Sequence, residues 1–170
     1  MPARTARRKR QALYTAEQRR LRDASRWTLV QGVLAPLQFA VFLVSLALVL
    51  RYLATGAGYE AATLSIIVKT LVLYTIMVTG ALWERDVFGQ YLFAPAFFWE
   101  DVVSFVVIAL HTYYLYAILA GALAPREQML VALAAYAVYV VNAAQFLLKL
   151  RAARLQAAAA PRSGALELAS

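Results

Sequence analysis

Four long apolar runs decide what this chain can fold into. They cover about residues 29–53, 62–83, 97–120 and 126–148. Each reaches the length of about 20 residues that a helix needs to cross a bilayer. In hydrocarbon every backbone N–H and C=O must find an internal partner, so such runs are read as helices. The expected fold is therefore all-α: an integral membrane four-helix bundle in one domain, residues 14–156. The composition agrees, with 63% apolar and 15% charged residues, against roughly 45–50% and 25% in soluble domains. The first run is too long for a signal-peptide core of about 7–15 residues, and no convincing A-x-A cleavage site follows it.

Charge is crowded out of the runs and into the ends. Residues 1–13 read as a basic, disordered arm, and residues 157–170 as a flexible tail. The alanine-rich start of that tail is expected to carry the last helix to Ala160, where Pro161, Ser163 and Gly164 stop it. Thr15-Ala-Glu-Gln18 fits a capping box and starts a short interfacial helix reaching about Asp23, with Arg19, Arg20 and Arg22 towards the headgroups. Thr28-Leu-Val-Gln31 is a second capping-box match, just after Trp27 at the interface. Nine of the 17 Lys/Arg residues precede Trp27. Adding Arg85, Lys149, Arg151, Arg154 and Arg162 puts most basic residues on one side, against Arg51 and Arg126 on the other. The positive-inside rule then places both termini in the cytoplasm. The net charge of +8 suits anionic headgroups; no folded nucleic-acid reader accompanies it, so nucleic acid is not expected as a partner.

Several chemistries are absent. There is no cysteine and only one histidine, which excludes disulfides, thiolate nucleophiles and His-rich metal clusters. No GxGxxG, Walker or HExxH pattern occurs, and Gly56-Ala57-Gly58 reads as a turn.

Polar residues inside the runs are what remain. Acids and a histidine on a lipid-soluble helix are costly, and such residues are functional candidates. The stretch FAPAFFWEDVVSFVVIALH, residues 93–111, enters through Pro95, Phe97, Phe98 and Trp99, then places Glu100 and Asp101 side by side. Glu100, Ser104 and His111 share one helix face, with a rise of about 16 Å from Glu100 to His111. Asp101 points about a quarter-turn away. The two acids fit a helix N-terminus favoured by the dipole. They equally fit acid–base work beside an apolar pocket, where a carboxyl kept dry can hold and donate a proton. His111 fits a neutral imidazole bonded to a tyrosine or Asn142, and equally a proton relay or an axial ligand to a tetrapyrrole metal. Lys69 either snorkels outwards or pairs with a buried anion. Gln31, Gln38, Ser45 and Tyr52 recur every seven residues, and Asn142, Gln145 and Lys149 form a second stripe with Tyr139 above; both should face other helices. Tyr136 and Tyr139 lie too deep for an interface belt and should line the interior. Pro36 should bend the first helix. Glu84, Arg85 and Asp86 are placed in a link, residues 84–96, before the third span.

The strings LYTAEQRRLRDASRWTLVQGVLAPLQFAVFLVSL, VKTLVLYTIMVTGALWE, YLFAPAFFWEDVVS and AAYAVYVVNAAQFLLKLR closely resemble the 3-vinyl (bacterio)chlorophyllide hydratase family of bacteriochlorophyll biosynthesis, called 2-vinyl in older ring numbering. The resemblance covers about residues 13–156. It implies addition of water to the C3-vinyl group of a chlorophyllide to give a 1-hydroxyethyl group. It implies a tetrapyrrole substrate bringing its own magnesium, water, membrane lipid, and contact with other enzymes of that pathway. It calls for no cofactor and no metal of the protein's own. On this reading Glu100 is the acid and Asp101 the water-side base or orienter. His111 is a magnesium ligand or a hydrogen-bond partner of the ring. Lys69, Ser104, Trp99, Tyr139, Asn142 and Gln38 are the expected substrate contacts, with Lys69 on a propionate. Two other classes fit the same residues: a non-catalytic tetrapyrrole carrier or assembly factor, and a small transporter.

Overall fold

The computed structural model describes residues 13–159, with side chains to residue 155. The basic arm before residue 13 lies outside the described residues; of the tail expected over residues 157–170, residues 157–159 continue the last helix and the rest lies outside the described residues. Five helices follow in order: α1 (Ala16–Ala24), α2 (Arg26–Thr55), α3 (Tyr59–Phe88), α4 (Phe98–Ala120) and α5 (Pro125–Ala159). No strand occurs among the described residues. The last four are long and apolar enough to cross a membrane. Three residues connect α2 to α3. Gly56 (φ 71°) and Gly58 (φ 87°) supply the left-handed conformations that so tight a reversal needs. A short link through Gly121 likewise returns α4 into α5. The bundle is thus two antiparallel hairpins, α2–α3 and α4–α5, closed by α2 against α5 and α3 against α4.

The helices start and stop where local chemistry tells them to, with two departures from the sequence reading. Thr15 and Gln18 form the expected capping box, at 2.9 and 3.1 Å. The second match does not cap anything. Ser25 is the N-cap of α2, its Oγ accepting from the Trp27 N–H. Thr28 instead donates to the Arg22 carbonyl and accepts from Trp83 Nε1. Gln31 reaches across to the Ile76 carbonyl and Thr79 Oγ1. The second departure is the link before α4, which is shorter than residues 84–96. Helix α3 runs on through Glu84 to Phe88 and is stopped by Gly89, whose φ of 78° is the usual glycine C-terminal signal. Helix α2 continues across Pro36.

The outside of the bundle is apolar and the inside is partly polar. Leu29 (77% exposed) and Leu119 (87% exposed) face outwards, while Gln38, Ser45, Lys69, Thr70, Ser104, His111 and Asn142 are buried. Leucine gains little by leaving lipid for leucine, so helix association in a membrane rests on close packing and interhelical hydrogen bonds. Both are present. Ala62, Ala117, Ala132 and Ala135 are buried small residues that let helices approach. Phe42 of α2 packs edge-on to Tyr136 and 4.9 Å from the Tyr139 ring centre. Ser45 bonds Tyr136 at 2.5 Å and Ser65 at 2.7 Å, tying α2, α3 and α5 together. Tyr59 donates to Gln128 at 2.5 Å near the opposite end.

Helix α1 buries none of its own residues, yet it is held to α3, with Ser25 donating to Asp86 at 2.7 Å. The preceding Tyr14 is buried between Phe88 and Phe97, with the Arg22 guanidinium over its ring. Burial pushes the Tyr14 hydroxyl up to about 12, the nearby Arg22 pulling the other way. Small residues at the α5 seam generate a prediction. Ala135→Leu should overpack it and lower stability by about 1–3 kcal/mol, read as an earlier unfolding transition in detergent. An unchanged transition would mean that the seam has slack.

Candidate functional site

Two polar clusters occupy different depths of the bundle. The first lies at the end where α3 finishes and α4 begins. Glu84 comes from the last turns of α3, Glu100 and Asp101 from the first turn of α4, and Lys149 from α5. The three carboxyls are buried, at 5%, 6% and 3% exposure. Acids at this position meet the positive end of the α4 dipole, which favours them.

Each carboxyl has a distinct partner. Glu100 Oε2 accepts from Lys149 Nζ at 2.5 Å. The same ammonium donates to the Ala96 carbonyl and lies 5.0 Å from the centre of the Phe97 ring. Asp101 Oδ2 accepts from the Phe93 N–H at 2.7 Å. Glu84 Oε2 accepts from the Ala94 N–H at 3.1 Å. Glu84 and Asp101 are thus held on successive backbone amides. Phe93 takes a left-handed conformation, φ 59°, unusual for a residue with a side chain. That conformation turns two successive N–H groups towards the carboxyls, an anion-binding nest.

Ser104 and Asn142 stiffen the start of α4 and do not face open space. Ser104 Oγ lies 2.8 Å from the Glu100 carbonyl and 3.3 Å from Asn142 Oδ1. Asn142 Nδ2 donates to the same Glu100 carbonyl at 2.9 Å. Trp99 is 68% exposed, on the outer surface. It belongs to an aromatic ledge: Phe98 packs on Trp99 and Phe93, and Phe93 stacks on Phe105 at 5.4 Å with planes 11° apart.

The second cluster lies deep in the bundle. Lys69 is fully buried, with Nζ 3.0 Å from His111 Nε2. His111 Nδ1 lies 2.8 Å from the Val107 carbonyl. A carbonyl only accepts, so Nδ1 carries the ring proton and Nε2 offers its lone pair to Lys69. Lys69 Nζ also sits 4.3 Å from the Tyr139 ring centre and 5.1 Å from that of Tyr136. This corrects two sequence readings. His111 bonds Lys69, not a tyrosine or Asn142, and its available nitrogen is already used. Lys69 does not snorkel, and no described protein carboxylate lies within ion-pair distance of it. The face shared by Glu100, Ser104 and His111 is real and buried, but its two ends belong to separate clusters.

Sequence reasoning missed Glu84 and gave Lys149 only a structural stripe. Glu84 was placed beyond the membrane helix because charge begins there; the stop signal that counts is Gly89. Among the described residues no group of three or more His, Cys, Asp or Glu is arranged to hold a metal ion. Gln38 is 2% exposed, and neither its amide oxygen nor its nitrogen finds a partner among the described residues. A buried unsatisfied polar group costs about 1–3 kcal/mol. Gln38→Leu should therefore raise the stability of the ligand-free protein by about that amount, measured by thermal unfolding in detergent. Destabilisation would show that the amide is satisfied in solution.

Comparison with known proteins follows the same boundaries. The profile of a family described as 2-vinyl bacteriochlorophyllide hydratase (BCHF) matches residues 14–152. A protein of that name from Rhodobacter capsulatus is 70% identical over 149 residues, which cover 88% of this chain and 86% of the relative. One from Cereibacter sphaeroides is 71% identical over 149 residues, covering 87% and 92%. No solved structure matches significantly. A match over most of the chain, including both helical hairpins and the acidic end, shows that the chain belongs to the 2-vinyl bacteriochlorophyllide hydratase family.

Proposed function

We propose that this protein is a hydro-lyase that adds water to the ring vinyl group of a bacteriochlorophyllide precursor, giving a 1-hydroxyethyl group. The observation that carries the reading is the buried carboxyl cluster at the start of α4 beside an exposed aromatic ledge, in a chain 70% identical to proteins named for that hydration. A flat, greasy substrate dissolves in the bilayer, and Phe93, Phe98, Trp99 and Phe105 suit its approach from there. Water reaches the same end from the interface. The distribution of Lys and Arg supports a bacterial inner membrane with this end on the cytoplasmic side.

Asp101 is the acid in this reading. It gives a proton to the terminal vinyl carbon, whose π electrons form the new C–H bond. The cation left beside the macrocycle is delocalised into it. A water oxygen attacks the cationic carbon next to the ring, and the surplus proton passes to Glu100. From sequence alone the roles were the reverse, with Glu100 as acid and Asp101 as base. The contacts favour the exchange: Glu100 is engaged by the Lys149 ammonium, whereas Asp101 lies on the nest beside Glu84. Hydration is redox-neutral, so the reaction needs no electron carrier; any magnesium arrives in the substrate. Lys69 and His111 bind each other and take no step. Serving as propionate clamp and magnesium ligand would require that bond to open.

Membranes containing the wild-type protein should convert vinyl bacteriochlorophyllide to a product heavier by one water, read by mass spectrometry. Recovery of unchanged pigment bound to the protein would mean a carrier. Asp101→Asn should lower kcat by about 10²-fold or more, the scale of a positioned proton donor. Glu100→Gln should also lower kcat; wild-type rates in both variants would remove α4 from the chemistry.

A further inference from the structure

The arrangement of Glu84 has a chemical consequence. Successive amides, Phe93 and Ala94, each hold one carboxyl, Asp101 on the first and Glu84 on the second. The nest thereby brings two carboxyl groups side by side. Ionised carboxylates have only acceptors, so a hydrogen bond between two of them contains a proton. The strained Phe93 backbone marks the spot, since a left-handed conformation in a bulky residue persists only where its surroundings hold it.

The other groups around the pair are few. Glu100 stands beside Asp101 on α4 and is engaged by Lys149 from α5. From the α1 side, Tyr14 with Arg22 over its ring packs against Phe97. Lys149 is committed to Glu100 and to the Ala96 carbonyl. No described cation lies within ion-pair distance of Glu84 or Asp101.

We propose that Glu84 and Asp101 share one proton, and that Glu84, acting through Asp101, is the positioning residue that keeps this proton available for the vinyl group. The inference rests on the hydratase reading above. In the step itself the Asp101 O–H bond breaks and the C–H bond at the terminal vinyl carbon forms. Glu84 donates nothing to the substrate. The emptied pair is left as two carboxylates, each still held by its nest amide, until a proton from the attacking water, relayed through Glu100, restores it. The cycle returns both carboxyls to their starting state and consumes only water and the alkene.

The test is Glu84→Gln in the full-length protein in membranes, assayed for hydration across a pH series. Glutamine can still accept from the Ala94 N–H and donate to Asp101, so the loop stays held, but it shares no acidic proton. The expected result is a kcat at least 10-fold lower at neutral pH, little change in KM, and a fall in activity that begins at lower pH than in the wild type. A wild-type rate with a wild-type pH profile would overturn the proposal. Infrared spectroscopy gives a second readout that needs no turnover. At mildly alkaline pH the wild-type protein should show a protonated-carboxyl stretch that both Glu84→Gln and Asp101→Asn lose. Absence of that band from the wild type also overturns the proposal, whether or not the variants fold. The two failures are distinguishable: wild-type protein that makes no product sinks the function, whereas an active wild type with an unaltered Glu84→Gln variant sinks only the shared proton.

Discussion

A polar group inside a bilayer has no solvent to return to, and this constraint shapes the whole molecule. The outer surface is Leu, Val and Phe, which pack no better on protein than on lipid tails. What chooses one bundle over others is therefore the set of polar partners inside. Gln31 must find Thr79, Ser45 must find Ser65 and Tyr136, Tyr59 must find Gln128, and Lys69 must find His111. Each pair joins different helices, and together they set the register of α2 on α3, of α2 on α5, and of α3 on α4. Shifting any helix by one turn would break several bonds at once.

The same constraint divides the two ionisable clusters by role. Lys69 and His111 sit deep and complete each other, with two tyrosine rings beside the amine. The acidic end is different. There three carboxyls meet one lysine, and among them the lysine forms an ion pair only with Glu100. The imbalance is bridged by the Phe93 and Ala94 amides, which hold Asp101 and Glu84. A site that trades protons with water has to sit where water reaches, and this end of α4 adjoins the interface.

Much of this was legible in the sequence. Run lengths fixed the number of helices, because a bilayer demands both a minimum length and helical bonding. The seven-residue recurrence of Gln31, Gln38, Ser45 and Tyr52 pointed inwards, since lipid would not tolerate it. The stretch 93–111 announced its buried acids by placing them on an apolar run. Three matters were not legible. Helix α3 overran its apolar segment by a turn and more, so Glu84 looked like link. A capping box is a local pattern that Thr28 satisfied as well as Thr15, and only tertiary contacts gave Thr28 other work with Trp83. The pairing of His111 with Lys69 crosses two helices that no sequence spacing relates.

Phe93 shows how the two faces of the site are joined. A glycine there would relieve the left-handed backbone, which costs a side-chain-bearing residue roughly 1–2 kcal/mol. Glycine would keep both nest amides, so the acids alone do not explain phenylalanine. The ring does. It stacks on Phe105 and packs on Phe98, forming the lipid-facing ledge, while the amide of the same residue holds Asp101. One residue thus fixes the distance between an apolar platform and a proton-bearing carboxyl. For a reaction between water and an alkene on a lipid-soluble ring, that distance is what must be held, and the strain in Phe93 is the cost of holding it with a single residue.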